Sequence, residues 1–282
     1  MMKINPIFKK DMISSMRNSR TAAVITLFNL CFGTIILLYI YEKIHLKQYE
    51  RILDYQDINK LAALSGGIIL CFTLLYVPFV AAKTVIIERQ KQNLDLILLA
   101  VSSPIYFVWE KLMAVISVYV MILISSLPVA AVIFSTGGSD VLVYVKMFFQ
   151  FLSTALLAGS IGLFFSCIAK RKMTSIFWSY ATIIIFCVLP FLVYHVFGLD
   201  IWQHTLKSGT RQPKFIFLGN PAVTFYYFIS PEHASSLSLY QGIHFLWDWS
   251  AQSILVQISI SVIFTVVSAF RLKPSVLPRK KK

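Results

Sequence analysis

Six stretches of the chain hold about 20 consecutive apolar residues, the length that crosses a hydrocarbon core of about 30 Å at about 1.5 Å per residue. They are Ala22 to Tyr41, Leu61 to Ala82, Leu112 to Phe134, Val141 to Ala169, Thr174 to Leu199 and Ala251 to Phe270. These runs lack the period-two alternation of a membrane strand, so helices are expected. The pattern predicts an all-α polytopic membrane protein with six transmembrane helices. Charged Glu42 and Lys43 follow the first run where a cleaved signal peptide would carry small residues, so this run is expected to stay as an anchor.

The segments between the runs are patterned too. Asn5 and Pro6 read as an N-cap and a first-turn proline. Around and after them Ile4, Phe8, Met12 and Met16 recur every four residues, with Lys10 and Arg17 on the far side. This predicts an amphipathic helix within residues 1–21 lying on the inner leaflet; a frayed polar tail is the alternative. Residues 84–100 are helical in composition, and Ser103 then caps a new helix with Pro104 at its first position. Leu94, Leu96, Ile97, Leu98 and Leu99 make this helix too apolar for a solvated loop, so it requires the bilayer interface or a partner to lie on. Residues 200–250 are dense in Trp, Tyr and Phe, as at a membrane interface or in a compact cap. Short outer helices are expected there, one dipping back beside the sixth span, with turns at Asn220-Pro221 and Ser230-Pro231. The sixth span, 251–270, leads into a basic tail, 271–282.

Composition narrows the class. The 282 residues are 57% hydrophobic and only 13% charged, with a mean hydropathy of +0.74 and a net charge of +14. A soluble domain carries about 25% charged residues, so an ordinary water-soluble enzyme and a disordered chain are both excluded. The charge sorts into topology, because Lys and Arg near span ends are retained in the cytoplasm. Eighteen basic residues fall in the N-terminal segment, the second-to-third and fourth-to-fifth connections and the tail; seven fall in the first-to-second and fifth-to-sixth loops, and none in the short third-to-fourth loop. Both termini are therefore expected to be cytoplasmic, in a multi-pass protein of the cytoplasmic (inner) membrane. The bilayer accounts for the charge, and nucleic acid is not needed as a partner.

Candidate chemistry inside the spans is sparse. Lys146 lies close enough to the outer end of its span to snorkel, and His195 sits near the outer end of the fifth. Cys31, Cys71, Cys167 and Cys187 all fall in spans without CxxC spacing, which reads as apolar packing, not as a disulfide or metal framework. The sequence holds no HExxH or GxSxG. Ser65-Gly66-Gly67, Pro78 and Pro128 interrupt the second and third spans. Ser153, Thr154, Gly159, Ser160 and Gly162 suit close helix packing in the fourth. A GxxxxGK[ST] phosphate loop is also missing, so no cofactor is expected on this chain. If ATP powers the protein, another chain hydrolyses it.

Two motifs sit on the predicted cytoplasmic face. Glu88, Leu94, Asp95, Leu96, Leu98, Leu99, Ser103, Pro104, Lys111 and Leu112 spell E-(x5)-L-D-L-x-L-L-x-x-x-S-P-(x6)-K-L, and the chain opens N-P-I-F-K-K-D-M-I-S-S-M-R. With the span count and loop placement, these resemble the type 2 ABC exporter permease family. The chain departs from that pattern at Glu110, where glycine often precedes the lysine, and at Gln92-Asn93, where Gly-Thr is common. The resemblance implies a dimer with a second permease copy or a paralogue, carrying two ABC ATP-binding subunits that hold ATP and Mg. It implies that 84–100 is a coupling helix, with Glu88, Arg89, Leu94, Asp95, Leu98, Ser103 and Pro104 at the ATPase contact. It also implies that Pro6, Phe8, Lys10, Met12 and Arg17 lie on a connecting helix, and that re-entrant helices follow the fifth span. The expected activity is export of an amphipathic or hydrophobic cargo by ATP-driven alternating access, along a path lined by the second and fifth spans. A non-transporting immunity, sensor or interaction subunit and an ATP-independent secondary transporter are the alternatives.

Overall fold

The computed structural model describes residues 12–13, 17–46, 55–92, 94, 97–98, 103–135, 141–196, 215–229 and 249–272. Among them run helices α1 (Ser19–Leu46), α2 (Tyr55–Gln90), α3 (Pro104–Ser135), α4 (Val141–Ile168), α5 (Lys172–Val196), α6 (Phe215–Leu218), α7 (Pro221–Ile229) and α8 (Trp249–Arg271). Six of these, all but α6 and α7, are long and apolar enough to cross a membrane. The protein is an all-α, multi-pass membrane protein, and each predicted span has its helix. Apolar side chains such as Leu27, Leu30 and Leu38 on α1 and Phe177, Ile184 and Leu189 on α5 point outward, as a hydrocarbon surround allows.

The bundle is built around α4. Of its apolar window 72% is buried, against 17% for α1, so α4 is the axis and α1 an outlier. Small residues make this possible. Gly162 meets Pro78 and Ala81–Ala82 of α2 so closely that a Cβ on it would lie 2.8 Å from the Ala81 Cβ and 3.0 Å from the Pro78 carbonyl oxygen. Without a hydrophobic force between helices in lipid, such close approach is what makes van der Waals packing count. On another side α8 lies along α4, with Phe164 and Phe264 edge to face at 5.5 Å and Ser261 Oγ donating to the Leu156 carbonyl at 3.1 Å. Helix α1 rests on α2 and α3 through Phe28, Phe32, Ile36, Leu61 and Ile122, with Asn29 Nδ2 donating to Ser125 Oγ at 2.8 Å.

The segment between α5 and α8 dips back into the bundle beside α8 by way of a tight turn. Helices α6 and α7 meet at Gly219-Asn220, where Asn220 Oδ1 caps α7 by accepting the Ala222 amide at 2.9 Å and Pro221 takes the first helical position. A Cβ on Gly219 would stand 3.0 Å from the Phe186 ring of α5 and 3.6 Å from Ile260, midway along α8. Asn220 Nδ2 donates to the Cys187 carbonyl at 2.7 Å. The turn therefore lies within the spans. The proposed Ser230-Pro231 turn lies outside the described residues.

The amphipathic helix expected over 1–21 is described only at Met12, Ile13 and Arg17, where the Arg17 amide donates to the Ile13 carbonyl at 3.0 Å. Pro6, Phe8 and Lys10 lie outside the described residues. Its C-terminal boundary moves: Asn18 caps α1 by accepting the Arg20 amide on Oδ1 at 3.1 Å, so Ser19 to Thr21 belong to the first span. A short polar side chain that competes for backbone amides ends one helix and begins the next.

Candidate functional site

The residues of the longer motif gather at one end of the bundle, where α2 stops, α3 starts, α4 ends and α5 begins. We call it the basic end, after Arg89, Lys111, Lys170, Arg171, Lys172 and Arg271. The single helix expected over 84–100 is here two pieces. Helix α2 continues past the second span to Gln90, then turns at Lys91-Gln92, where Gln92 adopts φ 57°. A left-handed residue closes a helix C-terminus, and its amide donates back to the Arg89 carbonyl at 3.1 Å. Composition cannot announce such a turn at a glutamine. Beyond it Leu94, Ile97 and Leu98 are helical again, and Leu94 and Leu98 are buried in the main core. For these two leucines the surface an apolar helix requires is the protein's own bundle. Asp95 lies outside the described residues.

Glu88 and Arg89 fasten the tip of α2 to two different helices. Lys111 Nζ of α3 donates to Glu88 Oε1 at 3.1 Å, with the two side chains 6% and 16% exposed, and stands 5.6 Å from the Phe107 ring centre. The Arg89 guanidinium donates to the carbonyls of Cys167 (2.7 Å) and Ala169 (3.0 Å). These are carbonyls at the C-terminus of α4, left without helical partners and at the negative end of its dipole, so a cation satisfies both needs at once. Glu88 and Arg89 thus both face the interior. Pro104 opens α3 with Ser103 ahead of it, both half-buried; Met12 is half-buried and Arg17 exposed.

One turn above this clamp, hydroxyls from neighbouring helices bond the backbone of α2. Ser166 Oγ of α4 accepts the amides of Val85 (3.1 Å) and Ile86 (3.3 Å), while Ser175 Oγ of α5 donates to the Ala82 carbonyl at 2.9 Å. Ile86 and Ala82 are the two ends of one rung in a regular helix. Nearby, Pro78 supplies no amide to the ladder, and Tyr180 Oη of α5 donates to the Leu75 carbonyl at 2.5 Å. Side chains inserted at the ladder and a proline are the usual causes of a bend. We refer to residues 78–86 as the joint, the stretch where a proline and hydroxyls from neighbouring helices meet the ladder of α2 just before its clamped tip; the helix is continuous through it. The sequence reading singled out Pro78 but neither serine; a proline within a span was the signal to look for hydroxyls beside it. We expect Ser166→Ala to lower stability by about 1 kcal/mol and to speed hydrogen exchange at the Val85 and Ile86 amides, measured by mass spectrometry on purified protein.

A belt of buried polar side chains lies toward the opposite end. Gln257 Oε1 of α8 accepts from Ser153 Oγ (2.8 Å) and Thr154 Oγ1 (3.2 Å) of α4, and its Nε2 is 3.4 Å from both the Gly219 carbonyl and Ser253 Oγ. Thr224 of α7 and Ser253 share a hydrogen bond of 2.7 Å. Serines and threonines expected only to permit close packing thus join α4, α7 and α8. Gln150, which the sequence reading passed over, is 1% exposed, and neither its Nε2 nor its Oε1 has a partner among the described residues.

No protein-family model and no curated protein matches the chain.

Proposed function

We propose that the chain is the permease subunit of an ABC exporter. It moves an amphipathic or hydrophobic cargo across the cytoplasmic membrane, as a dimer with a second copy or a paralogue, and a separate ATP-binding subunit hydrolyses the ATP. The observation that carries this reading is the clamped tip of α2. A lever must be stiff where it is pushed and free where it turns. Glu88–Lys111 and Arg89 with the α4 carbonyls tie the tip of α2 to the ends of α3 and α4. The joint at 78–86 lets the rest of α2 tilt. A push on the segment after Gln90 by an ATPase closing on its nucleotide is then passed to α2 as a rotation, which is what alternating access requires. With Glu88 and Arg89 turned inward, the contact itself falls to exposed Lys91 and Gln92 and to Asp95.

The test is isolation of the full chain from its native membrane under mild detergent, with ATP turnover measured before and after reconstitution into lipid vesicles. Co-isolation of an ATP-hydrolysing subunit is expected, with Asp95→Ala reducing its stimulation by the permease severalfold while leaving the melting temperature of the chain unchanged. An isolated chain that carries no ATPase activity and stimulates none would sink the proposal.

A further inference from the structure

The belt between α4, α7 and α8 contains one group the fold does not satisfy. Gln150 carries two N–H donors and a carbonyl acceptor, and it is buried with none of them bonded to a described residue. The hydroxyls within one turn on the same side of α4 are engaged elsewhere: Ser153 Oγ lies 2.9 Å from the Gln150 backbone carbonyl and 2.8 Å from Gln257 Oε1, and Thr154 Oγ1 lies 3.2 Å from Gln257 Oε1. An unmet amide in a membrane span is costly, because no bulk water is there to replace the missing partner. Such groups are rare in folded proteins, and each calls for an explanation.

We infer that the Gln150 amide is the recognition point of a ligand site in this seam, and that the site takes a molecule presenting a peptide-type amide. The chemistry selects the class. A phosphate or carboxylate would meet the Gln150 donors and leave Oε1 unpaired, and an ammonium would do the reverse. One residue of an extended peptide meets both, its own N–H donating to Oε1 while its own C=O accepts from Nε2; within a single trans amide the N–H and C=O point apart. The place also fits an amphipathic peptide. Gln150 lies nine residues into α4, about 13 Å along the axis at about 1.5 Å per residue, within reach of a polar group whose apolar remainder stays among the helices. Met147, one turn before Gln150, and Phe225 of α7 close over Gly66 of α2, their side-chain ends 2.9 and 2.6 Å from where a Cβ on that glycine would stand. Met147 has an unbranched chain that rearranges readily.

The inference deepens the export reading by naming a cargo class. Because binding is measured on this chain alone, its failure and that of the ATPase reading are distinguishable. The probe is a fluorescently tagged tetraleucine amide, compared with its fully N-methylated counterpart, on the full chain in lipid nanodiscs. The unmodified probe is expected to bind saturably and the N-methylated one at least about 10-fold more weakly. In Gln150→Met, of nearly the same shape, affinity for the unmodified probe is expected to fall about 10-fold, while the melting temperature of the empty protein rises by about 2 to 4 °C as the unmet amide disappears. Equal affinity of the two proteins for the probe overturns the inference. So does a lower melting temperature or a failure to fold in both Gln150→Met and Gln150→Leu, because the amide would then already have a partner, such as a held water.

Discussion

Lys111→Met is expected to destabilise the protein by about 3 to 5 kcal/mol, whereas the double variant Glu88→Gln/Lys111→Met recovers most of that loss. Removing one member of a buried ion pair leaves the other as an uncompensated charge, and the cost of that charge, not the attraction that was lost, sets the size of the effect. Here the ammonium and carboxylate are 3.1 Å apart on side chains 6% and 16% exposed, so solvent screens the orphaned Glu88 poorly. The single variant Glu88→Gln is milder, because the amide oxygen still accepts from Lys111 and the Phe107 ring still faces its Nζ. Thermal unfolding of detergent-purified variants, followed by intrinsic tryptophan fluorescence, orders the four proteins. If Lys111→Met melts within a degree or two of the parent, the pair does not bind α2 to α3. The double variant also separates fold from mechanism: a folded protein whose α2 tip has lost its tie to α3, and keeps only that of Arg89 to α4, should bind its ATPase yet transmit less of the push.

The spans were legible because a bilayer leaves few choices. About 20 apolar residues must lie together, and every amide must bond within its own helix, so the six runs could be read directly, and Asn220-Pro221 could be read as a turn. Boundaries were less so, since they hang on single residues: Asn18, whose side chain captures the Arg20 amide, and Gln92, whose positive φ splits the helix expected over 84–100. Of the candidate site, the sequence pointed to Glu88 and Lys111 through a motif and to Arg89 through the helix that the motif's resemblance implies. It could not show that Glu88 and Lys111 face each other, or that Arg89 reaches the end of a helix some 80 residues further on, because those are facts of tertiary packing. The hydroxyls were least legible. Ser117, Ser126 and Ser160 bond the carbonyl three residues back in their own helix, as span serines ordinarily do, and nothing in sequence separates them from Ser166 and Ser175, which reach across to α2.

Gly162→Leu is expected to abolish accumulation of folded protein, with a graded series behind it that identifies the cause. The glycines differ in what a Cβ would meet. At Gly33, on α1, it would meet nothing within 4 Å, and Gly33→Ala should be neutral or slightly stabilising because alanine is the better helix former. At Gly159 the nearest atom is the end of the Leu112 side chain, 3.0 Å away, which can turn aside at small cost. At Gly162 it is the Ala81 Cβ at 2.8 Å with the Pro78 carbonyl at 3.0 Å and the Ala82 amide at 3.2 Å, so the α2 backbone itself must retreat. Overpacking of that kind costs about 1 to 3 kcal/mol for the single methyl of Gly162→Ala, and a leucine cannot be housed at all. The retreat also falls on the rung that Ser166 and Ser175 bond, so Gly162→Ala should quicken hydrogen exchange at Val85 and Ile86 as Ser166→Ala does, without touching either serine. If Gly162→Ala instead melts like Gly33→Ala and leaves those amides as protected as before, the close crossing of α2 and α4 does not hold the joint together.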